Sequence, residues 1–214
     1  VDVKQDGVNF AGTDGHVLYK FEHHHGVPFI KEGTEQVVLL PASIANFIDV
    51  IFGNSNEIDI SADSSTMKLS SANATLAVRI CELRYPNYNS VIRKESPYHV
   101  TIPVRDLLQT IKRISVMASE SSQIIRIQKE GEQLVLSAVD PDFSRGSKEP
   151  VAFTEANIPD GFEIAFNHNN LSKLLTTIST DNVRLEFESS SASILLKEDA
   201  PNSALTEMCM PIVA

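Results

Sequence analysis

Cysteine is scarce in this 214-residue chain: Cys81 and Cys209 stand alone and far apart. Two such residues cannot build a disulfide framework and have no second pair for a zinc site, so the expected setting is a reducing cytoplasm. Basic charge is scarce too, with 18 Lys and Arg against 28 Asp and Glu and a formal charge of -10. The molecule as a whole should repel a phosphate backbone, and any nucleic-acid role needs a local basic surface. No apolar run approaches the ~18 residues of a membrane helix, and the first residues lack the basic, apolar and small-residue progression of a signal peptide. The chain opens on Val rather than Met, which points to processing, a boundary or a fragment. What is present is 42% apolar residues, enough for one large packed domain or two of about 100 residues.

The apolar residues recur in a pattern that repeats. Residues 34–82 read as a strand over 36–40, a helix over 41–52 and three strands in EIDISAD, TMKLSSAN and TLAVRICE. Pro41 suits the helix's first turn and Gly53 its stop, with Ile44, Phe47, Ile48 and Ile51 on one face. Residues 161–213 give the same order about 127 residues later: FEIAF, the helix NHNNLSKLLTTIS, then NVRLEFES, ASILLKED and LTEMCMPI. A third copy lies between them as YHVTIPV, the helix VRDLLQTIKRISVMAS, IIRIQKEG, EQLVLSAVD and a strand through Lys148 to Phe153. Residues 1–30 match only the latter part of a copy, so its opening strand and helix are missing.

The stretch 83–97, LRYPNYNSVIRKESP, has two prolines, polar turn formers and no periodicity, and marks a domain boundary. Two modules make a domain of two helices on largely antiparallel sheets, an α+β architecture. The expectation is a first domain over 1–94 and a complete one over 95–214.

Three motifs resemble one family, the bacterial sliding clamp or beta subunit of DNA polymerase III. TDGH followed by Val17 and Leu18 is similar to the family's TDGHRL run. RYPNYNSVI is similar to its FPDYRRVL linker, and MCMPIVA to its VMPMRL terminus. The resemblance implies the DNA-clamp fold of duplicated strand-helix-three-strand modules, with 1–94 as clamp domain 2 lacking its first strand and helix and 95–214 as domain 3. It further implies a non-catalytic processivity factor with no cofactor, a head-to-tail homodimeric ring that encircles duplex DNA. The expected partners are DNA polymerase III and other polymerases, the clamp loader and repair proteins, bound through short peptides of the Gln-Leu-x-Leu-Phe kind. No membrane is involved.

On this resemblance Thr13, Gly15, His16, Val17 and Leu18 match the peptide pocket. Pro86 and Val91 in the linker match it as well, as do Met208, Met210, Pro211 and Ile212 at the terminus. A pocket of Met, Leu, Val and Pro draws affinity from apolar burial, and pliable methionines let it accept several peptides. The chain departs from the family at Val17 and Ser90, where arginine is common, and in its Val-Ala ending.

Other readings of the same residues remain. Asp14 and His16 are raw material for a hydrolase, but no further carboxylate or nucleophile is nominated beside them; Asp-Gly is equally a turn signal. His23, His24 and His25 alternate faces on a strand, so no more than two could share a metal. On the helix after Pro103, Leu107, Leu108, Ile111 and Ile114 form the buried stripe and leave Arg105, Gln109, Lys112 and Arg113 outside. With Lys173 on the matching helix these make a candidate DNA-facing surface, of weak, sequence-independent affinity in the isolated chain. A peptide-binding scaffold of the same fold without a DNA role is the alternative function.

Overall fold

Alternating apolar residues and Gly or Asp turns make short antiparallel ladders, and each helix supplies a stripe that covers one face of them. The structure is a computed structural model that describes residues 1–4, 7–23, 36–85, 87–93 and 95–213. His24, His25 and Pro86 lie outside the described residues. The chain divides into two compact units, one of Val1–Phe10 with Glu22–Tyr88 and one of Ala11–Phe21 with Asn89–Ala214.

The first unit holds β1 (Asp2–Lys4), the start of β2 (Gly7–Thr13), the end of β3 (Val17–His23), β4 (Gln36–Val37), α1 (Ser43–Phe52), β5 (Asp59–Ala62), β6 (Thr66–Ser70) and β7 (Thr75–Arg79). Strand β1 pairs antiparallel with β2 and β4, and β5, β6 and β7 form a separate antiparallel sheet. The buried residues are Val38, Phe52, Met67, Leu69 and Val78, with Ile44 and Ile48 packed against them. The inward line of α1 is therefore 44, 48 and 52, spaced by four and stacked one turn above another. Phe47 and Ile51, expected on that line, are 57% and 37% exposed. Pro41 precedes the helix rather than entering its first turn. Gly53 does stop it, donating its N–H to the Asp49 carbonyl at 2.7 Å. A Cβ there would sit 2.6 Å from that same oxygen, so close approach, not positive φ, demands glycine.

The second unit runs β8 (Tyr98–Pro103), α2 (Val104–Ile114), β9 (Ile124–Glu130), β10 (Gln133–Asp140), β11 (Arg145–Val151), β12 (Glu155–Asn157), β13 (Glu163–Asn167), α3 (His168–Leu175), β14 (Asn182–Phe187), β15 (Ile194–Glu198) and β16 (Leu205–Cys209). Each module has the expected order, but its first strand is exchanged. Strand β8 pairs with β14 of the second module, and β13 pairs with β9 of the first. The resulting sheets run β11-β10-β9-β13 and β12-β8-β14-β15-β16-β3, with residues 17–21 of β3 contributed to this unit. Helices α2 and α3 touch each other; α2 also packs on β8, β10 and β11, and α3 on β13 and β16.

One core fills the space between these layers, with Ile102, Leu107, Ile111, Ile125, Leu136, Phe166, Leu174, Leu185, Phe187 and Leu196 all at 1% exposure or less. At about 1.5–3 kcal/mol for each fully buried large apolar side chain, this core is what holds the unit's two sheets together. Leu108 packs only on its margin. Helix α2 stops at Ile114 and tightens into a 3-10 turn at Ser115–Met117, five residues short of the expected length. Helix α3 starts after Asn167, whose side chain accepts from the N–H of Asn169 and Asn170 at 2.9 and 3.3 Å. It ends at Leu175, where the Thr176 and Thr177 hydroxyls bond back to the Lys173 and Leu174 carbonyls.

Candidate peptide groove and basic helix face

The Thr-Asp-Gly-His turn is shaped by hydrogen bonds within four residues. Asp14 Oδ1 accepts the backbone N–H of His16 and of Val17, each at 2.9 Å. These bonds hold its pKa below the ordinary carboxylate value. Thr13 donates its hydroxyl to the Val17 carbonyl at 2.7 Å and accepts from Gly15 N–H at 3.1 Å. Gly15 has φ +90, a conformation that strains any residue with a Cβ. The Asp14 carboxylate is thus committed to backbone amides, and no hydrogen bond joins it to the His16 ring among the described residues. His16 is left exposed at the tip.

The next residues enter the sheet beside β16. Val17 pairs with Cys209 and Leu18 with Met208, while on the far side of β16 Met208 pairs with Leu195 of β15. Alternation then sorts the faces. Val17, Cys209, Ile194 and Leu196 point into the core, whereas Leu18, Met208 and Leu195 form a row on the opposite face. That row is buried to 2%, 7% and 0% exposure although it lies outside the main core. Val17, counted with the pocket from sequence, therefore points into the core beside Cys209.

The end of the chain closes the other side. Met210 donates its N–H to the His16 carbonyl at 2.8 Å, and Ile212 donates to Ala165 of β13 at 2.8 Å. Met210 remains 43% exposed, with Pro211 and Ile212 half-buried beyond it. The β3–β16 ladder thus sets Leu18 beside Met208, the Met210-to-His16 bond carries it to the turn of Thr13, Gly15 and His16, and the chain then passes through Pro211 to Ile212, bonded to β13. Val91 follows a 3-10 turn at Tyr88–Ser90 and is 46% exposed. Pro86 lies outside the described residues. Two residues that the sequence reading missed support this region. Leu195 is apolar on what should be a solvent face, a signal of burial on both sides of β15. Arg93 binds Glu188, and its other amino group donates to the Ser193 carbonyl and, at 3.0 Å, to the Ser193 hydroxyl.

Arg105, Lys112 and Arg113 are exposed on α2, and Lys173 is exposed in the last turn of α3. Arg113 is paired with Glu149 at 2.9 Å and bonded to Thr110 at 3.0 Å, which reduces its charge toward solvent. Arg105, Lys112 and Lys173 have no ion-pair partner among the described residues. Between α2 and α3 lies an open cavity of about 540 Å³, lined by Val104, Leu108, Leu175 and Ile178 with Arg105 and Asp181 at its polar side.

Comparisons with known proteins fit this arrangement. The family described as DNA polymerase III beta subunit, C-terminal domain, matches residues 89–213. A beta sliding clamp of Synechococcus elongatus is 28% identical over 98% of this chain and 56% of its own length. One from Rickettsia bellii is 28% identical over 91% of this chain and 53% of its own. The chain thus spans about half the length of the curated relatives it matches. Among solved structures, a DNA polymerase sliding clamp from Pseudomonas aeruginosa has a TM-score of 0.89 at 22% identity, covering 100% of this chain and 57% of that one. A sliding clamp from Bacillus subtilis has a TM-score of 0.87 at 18% identity, over 100% and 55%. At such identities these two likenesses speak for the fold.

Proposed function

Because the chain belongs to the DNA polymerase III beta subunit family, the sliding clamps, we propose that it acts as part of a non-catalytic processivity factor that encircles duplex DNA and holds short peptides of its partners. The observation that carries the peptide reading is the Met210-to-His16 bond at the end of the β3–β16 ladder, which sets a half-exposed methionine beside the buried apolar row of Leu18 and Met208. Apolar floors with pliable rims suit several ligands of similar shape. Polymerases, the clamp loader and repair proteins would each present such a peptide in the cytoplasm.

The DNA reading is supported by Arg105, Lys112 and Lys173, which have no ion-pair partner among the described residues. A ring retains its duplex by enclosure, so few phosphate contacts are needed and the net charge of -10 is no obstacle. Head-to-tail association is supported by β11, an edge strand whose outer backbone groups have no neighbour in its sheet. The 3-10 turn that touches it exposes Val116 at 73% and Met117 at 36%.

Isotope-labelled chain titrated with a Gln-Leu-Ser-Leu-Phe peptide should shift the amides of residues 13–18 and 208–213, with micromolar or weaker affinity. Shifts confined to the α2–α3 cavity would move the site. The second reading, a peptide-binding scaffold without a DNA role, draws on the neutralisation of Arg113 by Glu149. Retention of the full-length protein on nicked circular DNA separates the two.

A further inference from the structure

Glu207 is fully buried in β16, on the strand face that also carries Leu205 and Cys209 toward the core. Its Oε1 meets the hydroxyl of Thr177, two residues past the end of α3, and its Oε2 has no partner among the described residues. The same Thr177 hydroxyl lies 2.6 Å from the Leu174 carbonyl in the last turn of α3. A hydroxyl has one hydrogen to give. With Glu207 ionised, Thr177 cannot serve both the carboxylate and the carbonyl, so one contact sets lone pair against lone pair. A proton on Glu207 resolves the count: Glu207 donates to Thr177, and Thr177 donates to Leu174. It also leaves Oε2 as a neutral carbonyl oxygen, which tolerates burial without a partner far better than a carboxylate does.

We propose that Glu207 is a proton-operated latch: as a neutral acid it ties the end of α3 to β16, and loss of its proton to solvent unties them and loosens the strand that carries Met208. The latch stands on the hydrogen count alone; only its effect on ligand binding rests on the peptide-groove reading.

The surroundings favour the neutral form from every side. On β3, Tyr19 lies opposite Glu207 in register and its phenol is pushed up, first by burial and then by Glu207 itself. On β16 the Cys209 thiol is pushed up to about 12 by burial. On β15 the neighbour in register is apolar Leu196, and Glu198 further along adds negative charge. Glu198 accepts from the Ser179 N–H and hydroxyl at 2.9 and 2.5 Å and from Ser203 at 2.7 Å, bonds that favour its ionised form. Asp14, at the turn before β3, adds a further negative field at Tyr19 and Cys209. Among the described residues no cation offsets these. Lys197 points to the other face of β15 and bonds Glu186 at 2.8 Å, and Lys173 is exposed on α3. Burial raises the Glu207 carboxyl to about 7, with Glu198 adding to the rise; only a Thr177 hydroxyl turned away from Leu174 to donate to the carboxylate would oppose it. Thr177 is itself exposed, so the proton leaves past one side chain.

The test uses the whole chain with 13C-labelled glutamate carboxyls, the Glu207 resonance being assigned by its loss in Glu207→Gln. A titration midpoint near 7 is expected, and one in the ordinary carboxylate range overturns the proposal. Hydrogen exchange provides the second measurement. After correction for the intrinsic pH dependence, protection at 174–178 and 206–210 should fall roughly tenfold between pH 6 and 8 in the wild type. Glu207→Gln, whose amide can donate to Thr177 at any pH, should abolish that fall. An equal fall in both proteins overturns the latch. Should the variant fail to fold, the wild-type titration decides, with the resonance assigned by its displacement in Thr177→Val.

Discussion

Replacing Met210 by Asp separates binding from folding better than any other change in the proposed groove. Met210 is 43% exposed, so of roughly 200 Å² for a whole methionine about 85 Å² stays open for a ligand to cover. At ~25 cal/mol per Å² that surface is worth about 2 kcal/mol, or about a 30-fold change in affinity. Asp removes this term and adds the desolvation of a charge beneath an apolar peptide, a further ~1–3 kcal/mol. Binding should therefore weaken by at least about a hundredfold. Stability should change by less than about 1 kcal/mol, since the side chain is half in solvent and the backbone bond to His16 is retained. Fluorescence anisotropy of a labelled Gln-Leu-Ser-Leu-Phe peptide measures the first quantity, and thermal unfolding of the same samples the second. Affinity within twofold of wild type would refute the assignment of the groove. Loss of binding and of fold together would show that Met210 supports the sheet instead. Leu18→Ala could not make this distinction, because Leu18 is 2% exposed and its truncation should cost about 2–5 kcal/mol of stability.

Asp14→Ala should free the His16 and Val17 amides and raise their exchange rates, while an exposed site limits the stability loss to about 1 kcal/mol. The Asp14 pKa is depressed in the folded state, so in the wild type the turn should be intact above the ordinary carboxylate range and open as pH falls through the lower folded value, read from the same two amide shifts. Arg93→Ala removes the bonds to Glu188 and Ser193 and should cost roughly 2 kcal/mol, with protection lost first at 91–93; unchanged exchange there would mean that the segment is held otherwise. Arg105→Glu with Lys112→Glu in the full-length protein should reduce the salt dependence of duplex binding, by a slope of about 0.9 for each phosphate contact removed, and leave peptide affinity unchanged.

Much of the fold was legible because it is written locally. The repeat of strand, helix and three strands follows from apolar periods of two and of 3.6 residues, and each element appears where its period is clear. Phe47 and Ile51 show the limit of that reading. A helical wheel places both beside Ile44 and Ile48, but only contact with Met67, Leu69 and Val78 decides which edge of the stripe is covered. The candidate groove was legible only as three separate motifs. Val17 shows why: His16 is exposed at the turn and Leu18 lies on the opposite strand face, while alternation turns Val17 itself into the core beside Cys209. Glu207 gave no sequence signal at all, since a glutamate in a strand is ordinarily a solvent-facing residue and nothing local announces Thr177 beside it.

The sequence by itself therefore determined the elements, their order and their repetition, because backbone preference and apolar spacing act over a few residues. Tertiary structure alone decided that β8 and β13 trade places between the modules, that β3 pairs with the distant β16, and that one acid is buried against the end of α3. The physical reason is that a strand's edge offers the same N–H and C=O groups to any partner. Which partner it takes is settled by the side chains that must be buried together, and these come from residues far apart in the chain.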